Sequence, residues 1–169
     1  MTPIVYKNLF DNFNDERGFT NPIDIKFLYK NIGLNTFDFK YQLISYNQRA
    51  KVFRGFHYQK DPFDQVKILL VHKGSIVDMV FPVNKEVAPK VQIFNLDAGD
   101  VLLIPSNYAH AYYTKTNDVI LQYMMDKEYN ESSYSGYYDS NFIKSNFDVK
   151  DIIISSKDLS LPSIELDFD

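Results

Sequence analysis

Short apolar runs, each ended by a turn-forming residue, dominate the middle of the chain. Gly, Pro, Asn or Asp interrupts them about every 8 to 12 residues, which is the spacing of short antiparallel strands. The predicted strands cover residues 67–73, 75–81, 90–95, 100–104, 109–114 and 118–125. This pattern predicts an antiparallel sandwich or barrel with little room for helices. Apolar residues are also consecutive over 68–71, which indicates a sheet that is buried on both faces.

The flanking regions carry other patterns. Residues 21–30 combine Asn21, Pro22 and an apolar stripe at helical spacing, and Gly33 follows, so a short helix capped near Asn21 is predicted. Residues 129–146 show no clear period and are interpreted as a covering loop. Three consecutive isoleucines at 152–154 favour burial, so the C-terminal tail is predicted to pack on the barrel.

Composition and charge narrow the functional classes. The chain of 169 residues is 45% hydrophobic and 24% charged, which is typical of one globular domain, here residues 1–169. A net charge of −4 argues against nucleic-acid binding, because that needs an excess of Lys and Arg. The absence of cysteine excludes disulfides, thiolate metal sites and cysteine nucleophiles. No apolar run reaches the roughly 20 residues of a membrane helix, so a soluble cytoplasmic protein is expected.

The three histidines are the first candidates for chemistry. His57 follows Arg54 and Gly55, which places a guanidinium near an imidazole and indicates an anion-binding site beside a base. From these residues alone, the alternative is a structural histidine whose hydrogen bonds are satisfied by its neighbours in a β-sandwich. His72 is interpreted as a surface residue before a turn, and His110 lies in a more informative segment.

Gly99, Pro105 and His110 have the spacing of the second conserved motif of the cupin barrels, and His57 falls in the first. The resemblance implies an all-β cupin double-stranded β-helix, a jelly-roll barrel, with a short N-terminal helix and a C-terminal covering segment. Many cupins bind a metal ion through histidines. Here Gln59 stands in place of a second histidine, and the Lys67 ammonium would repel a divalent ion. We therefore expect no metal and no cofactor.

Longer segments resemble one family within the cupins, the dTDP-4-dehydrorhamnose 3,5-epimerase family. They occur in the family's order and cover nearly the whole chain: residues 15–19, 54–59, 65–67, 74–78, 103–105, 109–110, 123 and 155–158. The Arg-Gly-x-His-x-Gln block together with the terminal Ser-x-Lys-Asp is the most specific pair.

The resemblance implies epimerisation of a nucleotide-diphosphate 4-keto sugar at C3 and C5, in deoxysugar or heptose biosynthesis for a surface polysaccharide. His57 and Asp158 would form the dyad that removes the proton beside the ketone, and Tyr123 would deliver a proton on the other face. This chemistry also needs cations that stabilise an enolate. Lys67 and Arg54 are the candidates for that role.

The resemblance further implies a set of residues that bind or surround the substrate: Arg17, Gln42, Arg54, Gln59, Asp78, His110 and Tyr129. The resemblance implies that Arg17 and Arg54 contact the diphosphate and sugar. It also implies that Gln42 lies near the nucleotide and that Tyr129 stacks on the base. A homodimer with exchanged strands is implied as well, in which the segment around Arg17 completes the partner's pocket.

Departures from the family pattern leave the substrate open. Thr20 to Pro22 replace an acidic residue, Pro82 to Asn84 replace an Asp-x-Arg segment, and Ile44 replaces an asparagine. The nucleotide is therefore dTDP, GDP or CDP, and the sugar is a hexose or a heptose. The alternatives are a C3-only epimerase, a nucleotide-sugar 3,4-ketoisomerase and a non-catalytic cupin that binds a sugar nucleotide. The ketoisomerases use a His-x-His pair, and here Tyr58 and Gln59 follow His57.

Overall fold

The structure is a computed structural model that describes residues 1–34, 38–83 and 89–166. Its strands are β1 (Ile4–Tyr6), β2 (Phe13–Asp15), β3 (Gly18–Thr20), β4 (Tyr41–Asn47), β5 (Phe53–Gln59), β6 (Lys67–Lys73), β7 (Ser75–Pro82), β8 (Gln92–Asp97), β9 (Val101–Ile104), β10 (Tyr108–Thr114), β11 (Val119–Met125) and β12 (Tyr134–Gly136). Its helices are α1 (Ile25–Asn31), α2 (Ser140–Asn146) and α3 (Ser156–Leu159). In these ranges no helix has the length and apolar character that crossing a membrane requires.

Two five-stranded sheets form the body of the fold. The first has the strand order β1-β9-β6-β11-β4, the second has the order β12-β5-β10-β7-β8, and β2 and β3 form a separate hairpin. Neighbouring strands in all three are antiparallel. The prediction of an all-β antiparallel architecture is therefore confirmed. The six predicted strands occur within two residues of their expected bounds, and the predicted turn over 82–89 lies partly outside the described residues.

The apolar pattern of β6 explains how the sheets are buried. Leu69 and Val71 pack in the core between the two sheets. Ile68 and Leu70 point to the opposite face, where they pack in a cluster with Leu28 of α1. Both sets are fully buried, which confirms the predicted burial on two faces. Burial of a Val, Leu or Ile side chain contributes about 1.5 to 3 kcal/mol, so this strand is a major contributor to stability.

The N-terminal helix begins later than the sequence pattern indicates. Asp24, not Asn21, is the N-cap, and its carboxylate accepts a hydrogen bond of 3.0 Å from the Phe27 backbone N–H. The Asn21 amide instead donates to the carbonyl oxygen and the ring Nδ1 of His72. Asn21, which the local pattern predicted as the N-cap, therefore makes a tertiary contact with His72 instead.

The prediction of a covering loop over residues 129–146 is wrong, because this segment contains a strand and a helix. β12 adds to the edge of the second sheet by pairing with β5, and α2 follows it. Asp139 caps α2 by accepting hydrogen bonds from the N–H groups of Asn141 and Phe142. Phe142 and Ile143 of this helix pack on the outer face of the second sheet. An aperiodic sequence forms regular structure here because the edge of β5 provides hydrogen-bond partners.

The C-terminal tail packs on the same side of the molecule. Ile153 forms a bridge with Val52, and the Phe53 N–H donates to the Ile153 carbonyl oxygen at 2.9 Å. Beyond this bridge, Ser155 caps α3 by accepting a hydrogen bond from the Asp158 N–H. The tail thus carries α3 to the side of β5.

Candidate active site

A cavity of about 520 Å³ lies between the two sheets. The strands supply its ionisable and amide groups: Arg54, His57 and Gln59 from β5, Lys67 from β6, His110 from β10 and Tyr123 from β11. Six tyrosines besides Tyr123 line it, so its wall combines flat apolar surfaces with hydroxyl groups. Such a lining suits a polar ligand with a ring, and sequence analysis had selected all six of the named residues.

A bulge in β5 places two of these residues on the same wall. His57 lies opposite His110 and Arg54 lies opposite Tyr112, so three residue steps on β5 face two steps on β10. In a regular strand, residues three apart point to opposite faces. The extra residue lets both Arg54 and His57 face the cavity. Phe53 and Phe56 are correspondingly directed to the outer core.

His57 and Asp158 form a hydrogen-bonded pair at the cavity wall. His57 Nε2 lies 2.9 Å from Asp158 Oδ1, and the His57 side chain is 28% exposed whereas that of Asp158 is 6% exposed. The other carboxylate oxygen accepts a hydrogen bond of 3.2 Å from the Gly55 N–H. With Nε2 donating to the carboxylate, His57 Nδ1 carries the lone pair that can accept a proton.

The environment of Asp158 keeps its carboxyl group ionised. Burial acts to raise its pKa, but the hydrogen bond and charge of His57, the Gly55 N–H and Ser155 outweigh burial, so the net pKa lies below the ordinary value. An ionised carboxylate beside an imidazole fixes the tautomer and stabilises the imidazolium that forms on proton transfer. The pair therefore has the arrangement of a general base, His57, with a carboxylate that orients it.

Tyr123 lies on the other sheet and reaches the same cavity. Its side chain is 5% exposed, and its ring meets the edge of His110 at a centroid distance of 5.7 Å. Its hydroxyl makes no hydrogen bond to the residues that the structure describes. Burial raises the pKa of Tyr123 well above its ordinary value, and the nearby Tyr112 and Asp78 act in the same direction. The phenol therefore stays protonated at neutral pH and can donate.

Lys67 lines the cavity, and Asp78 lies buried behind the wall. Burial lowers the pKa of Lys67 to about 8, although the Asp78 carboxylate acts in the opposite direction. Asp78 is fully buried and pairs with His110, whose Nε2 lies 2.6 Å from Asp78 Oδ2. The structure thus places Asp78 behind His110 and not in the cavity wall. Its other oxygen, Oδ1, has no hydrogen-bond partner among the described residues.

Two further predicted binding residues, Arg54 and Tyr129, line the cavity and differ in their contacts. Arg54 donates through Nε to Asn47, at 3.1 Å, and has no carboxylate partner within the described ranges. Tyr129 is 45% exposed and stacks on Tyr41 at a centroid distance of 6.0 Å. Both side chains therefore keep surface that a ligand can contact.

Gln59 also lines the cavity, but its amide is already used. Its NH₂ group donates to the carbonyl oxygens of Phe63 and Glu128, and its oxygen accepts a hydrogen bond from the Asn130 N–H. These bonds hold the segment that leads to Tyr129. Gln59 is therefore better described as a residue that shapes the wall than as one that binds a ligand directly.

The structure does not bring Arg17 and Gln42 to this cavity. Arg17 lies on the β2–β3 hairpin, is 83% exposed and pairs with Asp15. Gln42 points away from the cavity and accepts a hydrogen bond of 2.9 Å from Gln122. Gln122 in turn bonds His72, which is half-buried and tied into this network and is not a plain surface residue as predicted.

Tyr134 is a cavity residue that was not among the predicted site residues. It lies on β12, and its ring centroid is 5.3 Å from that of His57. The sequence around it has no strand pattern, so the periodicity did not predict that Tyr134 lies in a strand beside His57. No metal site is found in the part of the chain that the structure describes. Across residues 1–34, 38–83 and 89–166, no three His, Asp or Glu side chains lie close enough together to bind a metal ion.

Comparison with known proteins gives consistent matches. The family model described as dTDP-4-dehydrorhamnose 3,5-epimerase matches residues 5–165. A Sinorhizobium fredii protein of that name is 28% identical over 120 residues, and the match covers 66% of this chain and 60% of that relative's length.

Solved structures of the same description share the fold. A Bacillus anthracis enzyme, with TDP and PPi bound, is 28% identical at a TM-score of 0.78, and the match covers 96% of this chain and 94% of that one. An enzyme from Sulfolobus tokodaii is 30% identical at a TM-score of 0.72, with 94% and 90% covered. The predicted jelly-roll architecture is confirmed by these matches.

Proposed function

This chain belongs to the dTDP-4-dehydrorhamnose 3,5-epimerase family, and on that basis we propose that it epimerises a nucleotide-diphosphate 4-keto sugar at C3 and C5. The observation that carries the proposal is the His57–Asp158 pair on one wall of a cavity whose opposite wall presents the Tyr123 hydroxyl. Inversion of a carbon needs proton removal on one face and delivery on the other. These three residues supply both.

In the proposed first step, His57 Nδ1 removes the proton from the carbon beside the ketone. The electron pair of the C–H bond moves to the carbonyl, which becomes an enolate. The imidazolium that forms keeps its hydrogen bond to the Asp158 carboxylate. The Lys67 ammonium and the Arg54 guanidinium, which both face the cavity, stabilise the negative oxygen.

In the second step, the Tyr123 hydroxyl gives its proton to the opposite face of the same carbon. The enolate electron pair forms the new C–H bond, and the ketone is restored with inverted configuration. The phenolate then takes a proton from solvent, and His57 releases its own. The high pKa of Tyr123 favours rapid reprotonation of the phenolate.

In the proposed complex, the diphosphate and the base lie against side chains that line the cavity. Arg54 has a free face for the diphosphate, and the Tyr41–Tyr129 stack offers an aromatic surface to a base. TDP is bound in the B. anthracis relative, so dTDP is the first nucleotide to test. Lys67 beside the cavity disfavours a resident divalent ion, so the proposed reaction uses no metal.

A homodimer and a cytoplasmic location belong to the same proposal. The edge strand β4 exposes Leu43, Ile44 and Tyr46 beside the cavity, to between 46% and 70%. Arg17, on the β2–β3 hairpin, is 83% exposed and does not line the cavity of its own chain. A partner subunit that covers β4 would remove this apolar surface from water and bring a second arginine toward the diphosphate.

The function is tested by proton NMR in D₂O with a panel of dTDP-, GDP- and CDP-linked 4-keto sugars. Loss of the C3 and C5 proton signals, with the appearance of the inverted product, supports the proposal. Loss at C3 alone identifies a C3 epimerase, and a carbonyl moved to C3 identifies a ketoisomerase. Binding without any exchange identifies a non-catalytic cupin.

Tyr123→Phe is expected to separate exchange from inversion. The variant keeps the base, so C3 deuterium exchange is expected to stay within about tenfold of wild type. Net epimerisation is expected to fall by about 10² to 10⁴, because the proton donor on the other face is absent. Both rates are read from the same NMR time course. Tyr113→Phe is the matched control, since Tyr113 packs on Phe147 outside the cavity; parallel losses of both rates in Tyr123→Phe contradict this role.

The activity is expected to fall as the pH rises through about 8. Lys67 has a pKa lowered to about 8 by burial, so its ammonium form, which stabilises the enolate, is lost above that pH. Lys67→Arg keeps a positive charge at all these pH values and is expected to abolish this decline. The measurement is kcat/KM between pH 6 and 10; an unchanged alkaline decline in Lys67→Arg assigns it to another group.

A further inference from the structure

Tyr134 lies on the same wall as the proposed base, and none of the steps above uses it. β12 pairs with β5 so that Tyr134 is directly opposite Gln59. Residues opposite each other in antiparallel strands share a face, and Gln59 shares its face with His57. Tyr134 is therefore a diagonal neighbour of His57, half-buried, with its ring against the imidazole.

The ring of Tyr134 is held on two sides. The Lys157 ammonium lies 4.2 Å from its centroid, in a cation–π contact. Lys157 immediately precedes Asp158, so the residue that supplies the carboxylate of the dyad and the residue that contacts Tyr134 belong to the same short helix. Tyr129 lies 6.1 Å from Tyr134 on the cavity side. The position of the ring is thus fixed by the elements that form the dyad.

The hydroxyl of Tyr134 remains available. It makes no hydrogen bond to the described residues, and it is not among the buried polar atoms without a partner. Burial raises its pKa, and the Asp158 and Tyr129 charges act in the same direction. At neutral pH the group is therefore a protonated phenol that can donate one hydrogen bond into the cavity.

We propose that the Tyr134 hydroxyl donates a hydrogen bond to an oxygen of the sugar and so contributes to recognition of the sugar separately from the nucleotide. This inference rests on the proposed function for the identity of the ligand. The carbon that His57 deprotonates must lie within reach of His57 Nδ1, and in a 4-keto sugar both neighbours of C3 carry oxygen. A donor whose ring contacts the His57 ring lies on the side where these oxygens are found.

The experiment compares two ligands and two variants by titration calorimetry. The ligands are the free nucleoside diphosphate and its glucose conjugate, taken from the dTDP, GDP and CDP series that wild type binds best. The glucose conjugate has no keto group, so it is bound without turnover. Tyr134→Phe removes only the hydroxyl and keeps the ring. Tyr138→Phe removes a hydroxyl from the same segment, from a residue that packs against the outer core.

We expect Tyr134→Phe to weaken binding of the glucose conjugate about five- to tenfold and to leave binding of the free diphosphate within twofold. That factor is what loss of one neutral hydrogen bond of about 1 kcal/mol produces. Tyr138→Phe is expected to change neither affinity. An equal loss for both ligands, no loss for the conjugate, or a wild type that gains nothing from the sugar would each overturn the inference.

The result is independent of the catalytic test. A wild-type protein that catalyses no exchange at C3 or C5 refutes the proposed function, but it can still show a sugar-specific loss in Tyr134→Phe. Conversely, an active epimerase in which Tyr134→Phe binds the conjugate normally refutes only the role of Tyr134.

Discussion

His57→Asn is expected to reduce deuterium exchange at C3 and C5 by about 10² to 10⁴, because general base catalysis contributes a factor of this size. The asparagine side chain overlaps the imidazole only as far as the position of Nδ1, so it does not extend to the position of the Nε2 that contacts Asp158. It has no group that accepts a proton at neutral pH. The loss is therefore expected in the chemical step and not in binding, so affinity for the nucleoside diphosphate is expected to stay within about twofold.

The exchange rate is measured by NMR in D₂O, and the affinity is measured by calorimetry on the same preparation. His72→Asn is the matched control: it makes the same chemical change at a half-buried histidine that lies outside the cavity. Exchange at the wild-type rate in His57→Asn would remove His57 from the reaction. A comparable loss in His72→Asn would show that the effect comes from the fold and not from the base.

Gly55→Ala is expected to destabilise the protein by about 3 kcal/mol or more, which is a large part of the stability of a domain. Gly55 has a φ of +131°, which is accessible to glycine but strained for other residues. A Cβ atom there would lie 2.6 Å from the Cα of Ala111 and 2.7 Å from the carbonyl oxygen of His110, and it would also collide with the Ala111 side chain. Since two of these atoms belong to the backbone of β10, only separation of β5 from β10 relieves the overlap.

Urea denaturation monitored by circular dichroism gives the free energy of unfolding for this test. Gly18→Ala is the control, because Gly18 has a similar φ of +135° with no atom within 4 Å of the added Cβ. It reports the backbone strain without the collision, for which about 1 kcal/mol is expected. If the two variants lose equal stability, the close approach of β5 and β10 at Gly55 has no energetic role.

The two predictions are connected through β5. The bulge at Gly55 directs Arg54 and His57 to the same wall, and the Gly55 N–H also binds the Asp158 carboxylate. A folded Gly55→Ala protein would therefore be expected to lose activity as well, since the dyad depends on the local path of the backbone. The arrangement of Arg54, His57 and Asp158 in the site therefore depends on the backbone path of β5 at Gly55.

Much of the fold was predictable because strands impose local patterns. Alternating and continuous apolar runs with turn residues between them identified β6, β7, β9, β10 and β11 closely, and the packing of Leu69 and Ile68 on opposite sides followed from a two-faced apolar run. Candidate residues on these strands, such as Lys67 and Tyr123, then reached the cavity. The local patterns did not identify β12 or the true cap of α1, since both depend on contacts with distant residues.

The sequence by itself determined the all-β architecture, the two-faced burial of the sheets and the identity of His57, Lys67 and Tyr123 as cavity candidates. The pairing of His57 with Asp158, 101 residues away in sequence, was implied by the family resemblance and not by any local pattern. Only the tertiary structure decided that a bulge turns Arg54 to the same wall as His57, and that Tyr134 lies beside His57 while Gln42 faces away. The physical reason is that side-chain period and turn chemistry are local properties, whereas the pairing of strand edges and the docking of a tail depend on surfaces that exist only once the sheets have formed.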